Sequence, residues 1–373
     1  MPIFEFDGNE SWGYNPCFYF APDKYYGTKQ KLQEFIDEAH KKGIAIILDI
    51  ALNHVTGNSP LAQLYWDGTN NQPTNNNPWL NPTPKHPFNV FNDFNHESAA
   101  TKYHVYRFIR HWLTEYKVDG FRWDLSKGFT QVNSGSNVGA WGNYDASRIA
   151  IWKNYYDSMQ AVAPGSYCIL EHFGGDQEEI ELANYGMLLW NNLNYESNQN
   201  TMGYINNSTL YRAYAPYKGY TKLGLISYAE SHDEERLMYK NINFGFTNSN
   251  YDVKSLNIGL QRMEALNALM LLIPGAKMYW QFGELGYDYS INTCVNGTVN
   301  NNCRLDPKPI RWDYLQNTYR KRLKEVVGSI SRLRAYKPAV FSNQTVSNGT
   351  DISGVFVKKL VLSHNDMKVV VLA

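Results

Sequence analysis

The chain has 373 residues, with 35 basic and 35 acidic side chains. A formal charge of zero argues against a nucleic-acid-binding surface or a polybasic membrane patch. With 43% hydrophobic and 19% charged residues, the chain can bury a large core, which excludes disorder.

The length admits one large barrel or several ordinary domains. No apolar run reaches the roughly 18 residues of a membrane-spanning helix. The opening MPIFEFDGNESWG has neither the charged region nor the apolar stretch of a signal peptide.

In chain order, MPIFEF (1–6) reads as the tail of a strand. After Gly27-Thr28, Leu32, Phe35, Ile36 and Ala39 recur at helical spacing, and Gly43 closes that helix. IAIILDI (44–50) follows, a continuous apolar run that suits a parallel strand buried on both faces. Val105, Phe108, Ile109 and Trp112 stripe a helix before VDGFRWD (118–124). Ile149, Trp152 and Tyr156 stripe another before SYCILE (166–171). MLLW (187–190) follows a short helical piece, and LGLISYAE (223–230) follows a polar, Tyr-rich stretch. A helix over about 254–273 precedes AKMYWQF (276–282), and a last helix over about 315–335 carries Leu323, Val326, Val327, Ile330 and Leu333. From about 342 the character changes: VFVKKLVLS and KVVVLA read as short antiparallel strands after a Gly/Asn/Ser-rich turn.

Strand–helix alternation at this spacing predicts an α/β protein with a parallel sheet. Six full strands fit most of a (β/α)8 barrel. They also fit a doubly wound sheet, but no Gly-rich phosphate loop follows the first strands. Long loops at 54–96, 126–144 and 284–310 are of the kind that carries function. In a barrel they share the C-terminal face, where catalysis occurs.

Cysteine adds one expectation. Cys17 and Cys168 read as small core residues, whereas Cys294 and Cys303 flank an Asn-rich loop that a disulfide closes in an oxidising compartment. There is no C-x-x-C for a zinc or redox motif, and no H-x-H or H-E-x-x-H for a catalytic metal.

The chemistry-bearing residues stand at strand ends: Asp49, Asn53 and His54 after the first run, Arg122 and Asp124 after the second, Glu171 after the third, His232 and Asp233 after 224–230. A carboxylate there is often only a helix cap. Four such positions in succession on one rim suit glycoside hydrolysis, with one carboxylate as nucleophile and a second, protonated one as acid. The abundance of Tyr, Trp and Asn suits a carbohydrate partner, since flat rings stack on sugars and amides bond hydroxyls; it equally suits an aromatic core and Asn-rich loops.

These motifs resemble the α-amylase superfamily of retaining glycoside hydrolases. DIALNH (49–54) looks like its D-x-x-x-N-H signature, GFRWD (120–124) its G-x-R-x-D, ILEHF (169–173) its acid/base strand, and ESHDEER (230–236) its H-D pair. WGYNPCFYFAPDKYYGT (12–28) resembles the loop after the family's second strand. The resemblance implies Asp124 as nucleophile, Glu171 as general acid/base and Asp233 as transition-state stabiliser. It implies that Arg122 orients Asp124, that His54 and His232 bond the sugar, and that Tyr14 stacks beneath it. Lys127 would contact a leaving-side sugar, and Asn53 would ligate a structural calcium or else only pin loop backbone. Trp66 and Trp79 would line the cleft or pack their own loop.

Two departures stand out. Gly128 follows Lys127 where many amylases have His, and Ser231 replaces a common Asn before His-Asp; Ser-His-Asp-Glu also occurs in branching enzymes. The resemblance therefore implies an α-glucan partner and cleavage of α-1,4 bonds, with a branching or other transglycosylating enzyme as the alternative. A non-catalytic glycan-binding relative is a third reading, disfavoured because all three carboxylates are present.

It further implies that the first strand, first helix and most of the second strand of the barrel precede Met1. Residues 1–341 are then an incomplete TIM barrel and 342–373 the start of a C-terminal β-sandwich. Such a segment is expected to be unstable alone or to associate through open edges. The expected compartment is secreted, periplasmic or cell-surface, or cytoplasmic for a branching enzyme.

Overall fold

Six short parallel strands occupy the apolar runs that the sequence marks. The structure, a computed structural model, describes residues 1–373 apart from the side chain of Asn343. It falls into two units, Met1–Trp190 and Asn191–Ala373, each taken by itself below.

In the first unit Ile47–Ile50, Gly120–Trp123 and Tyr167–Leu170 run parallel in that order, and Leu188 and Leu189 add the start of Leu188–Asn192 against Ile169 and Leu170. The helix Lys29–Lys41 leads into the first of them, and Ala99–His111, Ala146–Val162 and Asp176–Tyr185 connect successive strands. Local chemistry sets their ends. Thr28 accepts from the Lys31 N–H at the first helix, and Asp145 accepts from the Ser147 and Arg148 N–H groups at the third. Val105, Phe108, Ile109 and Trp112 are all fully buried, as their spacing predicts. In the next helix Tyr155, not Tyr156, completes the buried face with Ile149 and Trp152. The core is aromatic: Trp123 meets Trp152 edge-on at 5.4 Å, and His96 stacks on Phe129 at 3.7 Å.

The start of the chain differs from expectation. Phe4–Phe6 is not the tail of a parallel strand; it pairs antiparallel with Pro16–Pro22. The intervening Asp-Gly-Asn turn reverses the chain, and the alternation of buried Phe4 and Phe6 around Glu5 suits a half-buried hairpin. Cys17 on that hairpin is only partly buried, unlike Cys168.

In the second unit Leu225–Tyr228 and Ala276–Lys277 are parallel, with Ile226 opposite Ala276. The helices Leu256–Leu272 and Thr318–Tyr336 pack Leu260, Met263, Leu266 and Met270 with Leu323 and Val327. Asn194–Met202 is a helix that the sequence does not announce: NYESNQNTM has no apolar stripe, and its buried face is polar, with Ser197, Asn198 and Thr201. Lys359–Ser363 and Lys368–Leu372 form the expected antiparallel hairpin, in register from Lys359↔Leu372 to Ser363↔Lys368. Cys294 and Cys303 are joined as a disulfide. Among the described residues no helix is long and apolar enough to cross a membrane.

Candidate active site

In the first unit the strand register assembles the site. Asp49 and Arg122 are direct partners across adjacent strands, and Trp123 is the partner of Leu170. The next residues, Asp124 and Glu171, therefore leave neighbouring strands side by side, and the Glu171 N–H still donates to the Trp123 carbonyl at 3.0 Å.

One guanidinium organises them. Arg122 Nη1 donates to Asp49 Oδ1 at 2.7 Å and to Asp124 Oδ1 at 2.8 Å, while Nη2 lies 2.9 Å from Glu171 Oε1. Trp190 packs over its face at 4.0 Å. The Tyr14 hydroxyl donates to Asp49 Oδ2 at 2.6 Å and accepts from Arg122 at 3.3 Å. Burial works to raise the Asp49 carboxyl, but the Arg122 charge and the Tyr14 hydrogen bond outweigh it and hold it below its ordinary value. His54 donates Nε2–H to the Tyr14 carbonyl at 2.8 Å; its buried Nδ1 has no partner among the described residues. Burial lowers the His54 pKa and keeps the ring neutral, so that Nδ1 can accept from a hydroxyl.

The backbone beyond each carboxylate is strained. Leu125, next to Asp124, and Phe173, two past Glu171, both adopt positive φ, at 49° and 48°. Leu125 turns its N–H onto Glu171 Oε2 at 2.8 Å. Beneath them runs a buried network. Ser126 Oγ donates to the Glu171 carbonyl at 2.9 Å and contacts His172 Nδ1 at 3.0 Å; His172 Nε2 meets Glu178 at 2.8 Å; Arg148 holds Glu178 by two bonds of 2.6 and 2.8 Å. Burial opposes ionisation of Glu178, but His172 and Arg148 bring its pKa to about 2. Sequence reasoning missed Ser126, Arg148, His172 and Glu178. The only signal was the position of Ser126 and His172 just past the two carboxylates.

Two expectations change. The Lys127 ammonium is buried, donating to the Phe173 carbonyl at 2.9 Å and lying 4.0 Å over Trp141, so it tethers the Glu171 strand end rather than reaching outward. Asn53 is fully buried, and its Oδ1 faces His86 Nε2 at 3.1 Å; His86 also stands 3.6 Å from Asp93 Oδ1. Calcium takes about six to eight oxygens. Here Asn53 Oδ1 and the buried Asp93 Oδ1, which has no hydrogen-bond partner among the described residues, both face His86 Nε2, a histidine clamp. The clamp also explains Gly128: a Cβ there would lie 1.9 Å from Asn53 Oδ1 and 2.7 Å from His86 Nε2, which excludes the family's histidine. Trp66 and Trp79 sit within their own loop, where Trp79 meets Tyr65 edge-on at 6.0 Å.

In the second unit His232 and Asp233 follow Leu225–Tyr228. Asp233 Oδ2 lies 3.2 Å from His232 Nε2, and Oδ1 accepts from Arg304 Nη2 at 2.7 Å. Burial raises the Asp233 carboxyl, but His232 and Arg304 overcome it and bring its pKa to about 2. Ser231 accepts from the Asp233 N–H at 3.0 Å and donates to Glu234, which gives the Ser-His-Asp-Glu sequence a structural purpose. Among the described residues the one cluster with metal-ligand spacing is Cys294, Cys303 and Asp306, and the disulfide consumes both thiols.

Parallel strands joined by helices, with a carboxylate–arginine constellation on their C-terminal ends, define a protein of the TIM-barrel class with a polar site on the strand rim. The comparisons name the family. Residues 1–92 match the model described as "Alpha amylase, catalytic domain". The chain is 32% identical over 141 residues to the 1,4-alpha-glucan branching enzyme GlgB of Chlamydia muridarum, taking in 38% of this chain and 18% of that enzyme. It is 24% identical over 314 residues to Alpha-amylase 3 of Dictyoglomus thermophilum, taking in 78% of this chain and 56% of that protein. Among solved structures, an Anoxybacillus alpha-amylase superposes with a TM-score of 0.70 at 18% identity, over 99% of this chain and 73% of that one. The family match over residues 1–92 and these relatives support a likeness to the α-amylase superfamily. It spans under a fifth of the branching enzyme and just over half of Alpha-amylase 3.

Proposed function

We propose that the chain is the catalytic part of a retaining glycoside hydrolase that cleaves α-1,4-glucosidic bonds in starch- or glycogen-type α-glucans. The observation that carries this reading is the register of Asp124 and Glu171 on adjacent parallel strands, bracketed by Arg122. Neighbouring strands lie about 4.8 Å apart. That suits the carboxyl separation of about 5–5.5 Å in retaining enzymes, not the 6.5–9.5 Å that inverting enzymes need for a water.

Asp124 attacks the anomeric carbon through the oxygen that Arg122 does not hold. Glu171 gives its proton to the glycosidic oxygen, the C–O bond breaks, and a glycosyl-enzyme forms. Glu171 then takes a proton from water, which attacks the same carbon and releases Asp124. In the family's roles Asp233 and His232 bind sugar hydroxyls in the transition state, and His54 Nδ1 accepts from another. The Cys294–Cys303 disulfide supports a secreted or cell-surface protein.

Asp124→Asn in the full-length protein is expected to lower turnover on the order of 10^4-fold or more while retaining glucan binding. Undiminished hydrolysis would end the nucleophile assignment. A branching reaction is the second reading, favoured by the branching-enzyme relatives and by Ser231; a sugar hydroxyl then replaces water in the second step. Incubation with amylose separates the two: reducing ends rise under hydrolysis, whereas 1,6-linkages appear with few new reducing ends under branching.

A further inference from the structure

The loop 284–310 bears no catalytic motif, yet it delivers an arginine to Asp233. Arg304 Nη2 donates both to the Asp233 side chain at 2.7 Å and to its backbone carbonyl at 2.9 Å. Arg304 directly follows Cys303, the second cysteine of the disulfide. The loop is stitched around that point. Lys308 Nζ donates to the carbonyls of Thr293, Cys303 and Asp306 at 2.8–3.0 Å, and the Cys294 N–H donates to Thr298 at 2.7 Å.

Both side chains of the Arg304–Asp233 pair are 39% exposed. An exposed ion pair ordinarily contributes little, because two flexible side chains must be ordered against screening water. Here the cross-link orders one partner in advance, and the double contact to side chain and backbone fixes the Asp233 carboxylate in one rotamer. With Oδ1 held, the carboxylate plane is set for a sugar hydroxyl.

We propose that Arg304, mounted on the loop closed by Cys294–Cys303, is a positioning residue that orients and keeps ionised the carboxylate of Asp233. The inference rests on the reading of Asp233 as the family's transition-state stabiliser. Beside Asp233 stand His232 and Glu234 from its own loop and Arg304 from the disulfide loop. Arg304 and His232 favour the anion, and the Glu234 carboxylate opposes it. Reduction of the disulfide releases the mount, which makes the arrangement sensitive to redox conditions.

The test is steady-state kinetics of the full-length protein on a soluble α-glucan across about pH 2–8, a range that spans the Asp233 pKa of about 2 and its ordinary value of 3.8, for wild type, Arg304→Gln, Arg304→Ala, Arg304→Lys and wild type treated with dithiothreitol. Removing the charge is expected to lower kcat/KM about 10- to 100-fold and to move the acid limb to higher pH. Arg304→Lys keeps the acid limb near wild type, and the reduced protein falls between. Thermal melts establish which variants fold; should Arg304→Ala not fold, Arg304→Gln carries the comparison. Wild-type kcat/KM and an unmoved acid limb in Arg304→Gln overturn the proposal while leaving the glucan-cleaving reading intact. A wild-type protein that turns over no α-glucan overturns both, and so tells the two failures apart.

Discussion

Two arginines do related work in different ways. Arg122 is buried and grows from a strand; its partners Asp49 and Asp124 are set by parallel register and by a two-residue spacing along one strand. Arg304 is 39% exposed and grows from a loop; its partner Asp233 is reached across 71 residues of sequence, with a disulfide beside it. The contrast teaches that a site can draw precision from two sources. A sheet supplies it through backbone hydrogen bonds that admit one register. A loop needs a covalent tie and several carbonyl contacts to reach a similar order.

The sharpest way to break the comparison is to weaken the buried arginine. Arg122→Lys retains the charge but cannot bridge three carboxylates. It is expected to lower kcat about 10^2- to 10^3-fold and the melting temperature with it, measured by glucan hydrolysis and calorimetry. A near-wild-type rate would mean that the strand register alone suffices.

Next comes the network under the first site. Glu178→Gln leaves the buried Arg148 with only Asp145, 3.9 Å away, as countercharge and is expected to cost about 3 kcal/mol in urea unfolding. Wild type carries the same dependence on pH. The folded pKa of Glu178 is about 2, below its ordinary 4.5. Its contribution is therefore complete above pH 4.5 and is lost as pH falls towards 2. A stability profile flat through that window would show that the Arg148 pair contributes nothing net.

A smaller effect tests the histidine clamp. Gly128→Ala is expected to destabilise by about 1–3 kcal/mol, because its Cβ meets Asn53 and His86. Chelator or added calcium is expected to leave the melting temperature of wild type unchanged. A calcium-dependent rise would show that the clamp opens to take the ion. The smallest effect serves as the control for the loop arginine. Arg322, exposed on the helix Thr318–Tyr336, pairs with the half-buried Glu264 of the helix Leu256–Leu272 at 3.0 Å without any cross-link. Glu264→Gln is expected to shift stability by less than about 0.5 kcal/mol.

Much of this was legible in the sequence. Continuous apolar runs marked the parallel strands, because strands buried on both faces must be apolar throughout, and helical spacing marked the stripes Val105–Trp112 and Ile149–Trp152. The motifs at strand ends placed Arg122, Asp124 and Glu171, since their relation is fixed by local spacing and sheet register. The helix Asn194–Met202 escaped because its buried face is polar, with the Asn198 amide donating to Asn194, and so shows no apolar stripe. Phe4–Phe6 is a strand, as its apolar run predicts, but so short a run does not state which strand it will pair with.

What the sequence by itself determined is the order of strands and helices and the identity of the rim residues. These follow from period and spacing, which are properties of neighbouring residues. Only the tertiary structure decided that Tyr14 bonds Asp49, that His86 meets Asn53, that Arg148 neutralises Glu178 and that Arg304 holds Asp233. Each of these pairs joins residues about 30 to 71 positions apart through the course of a loop or the packing of a helix. No local pattern encodes such a meeting; it arises because buried charges and polar atoms must find partners once the chain has closed around them.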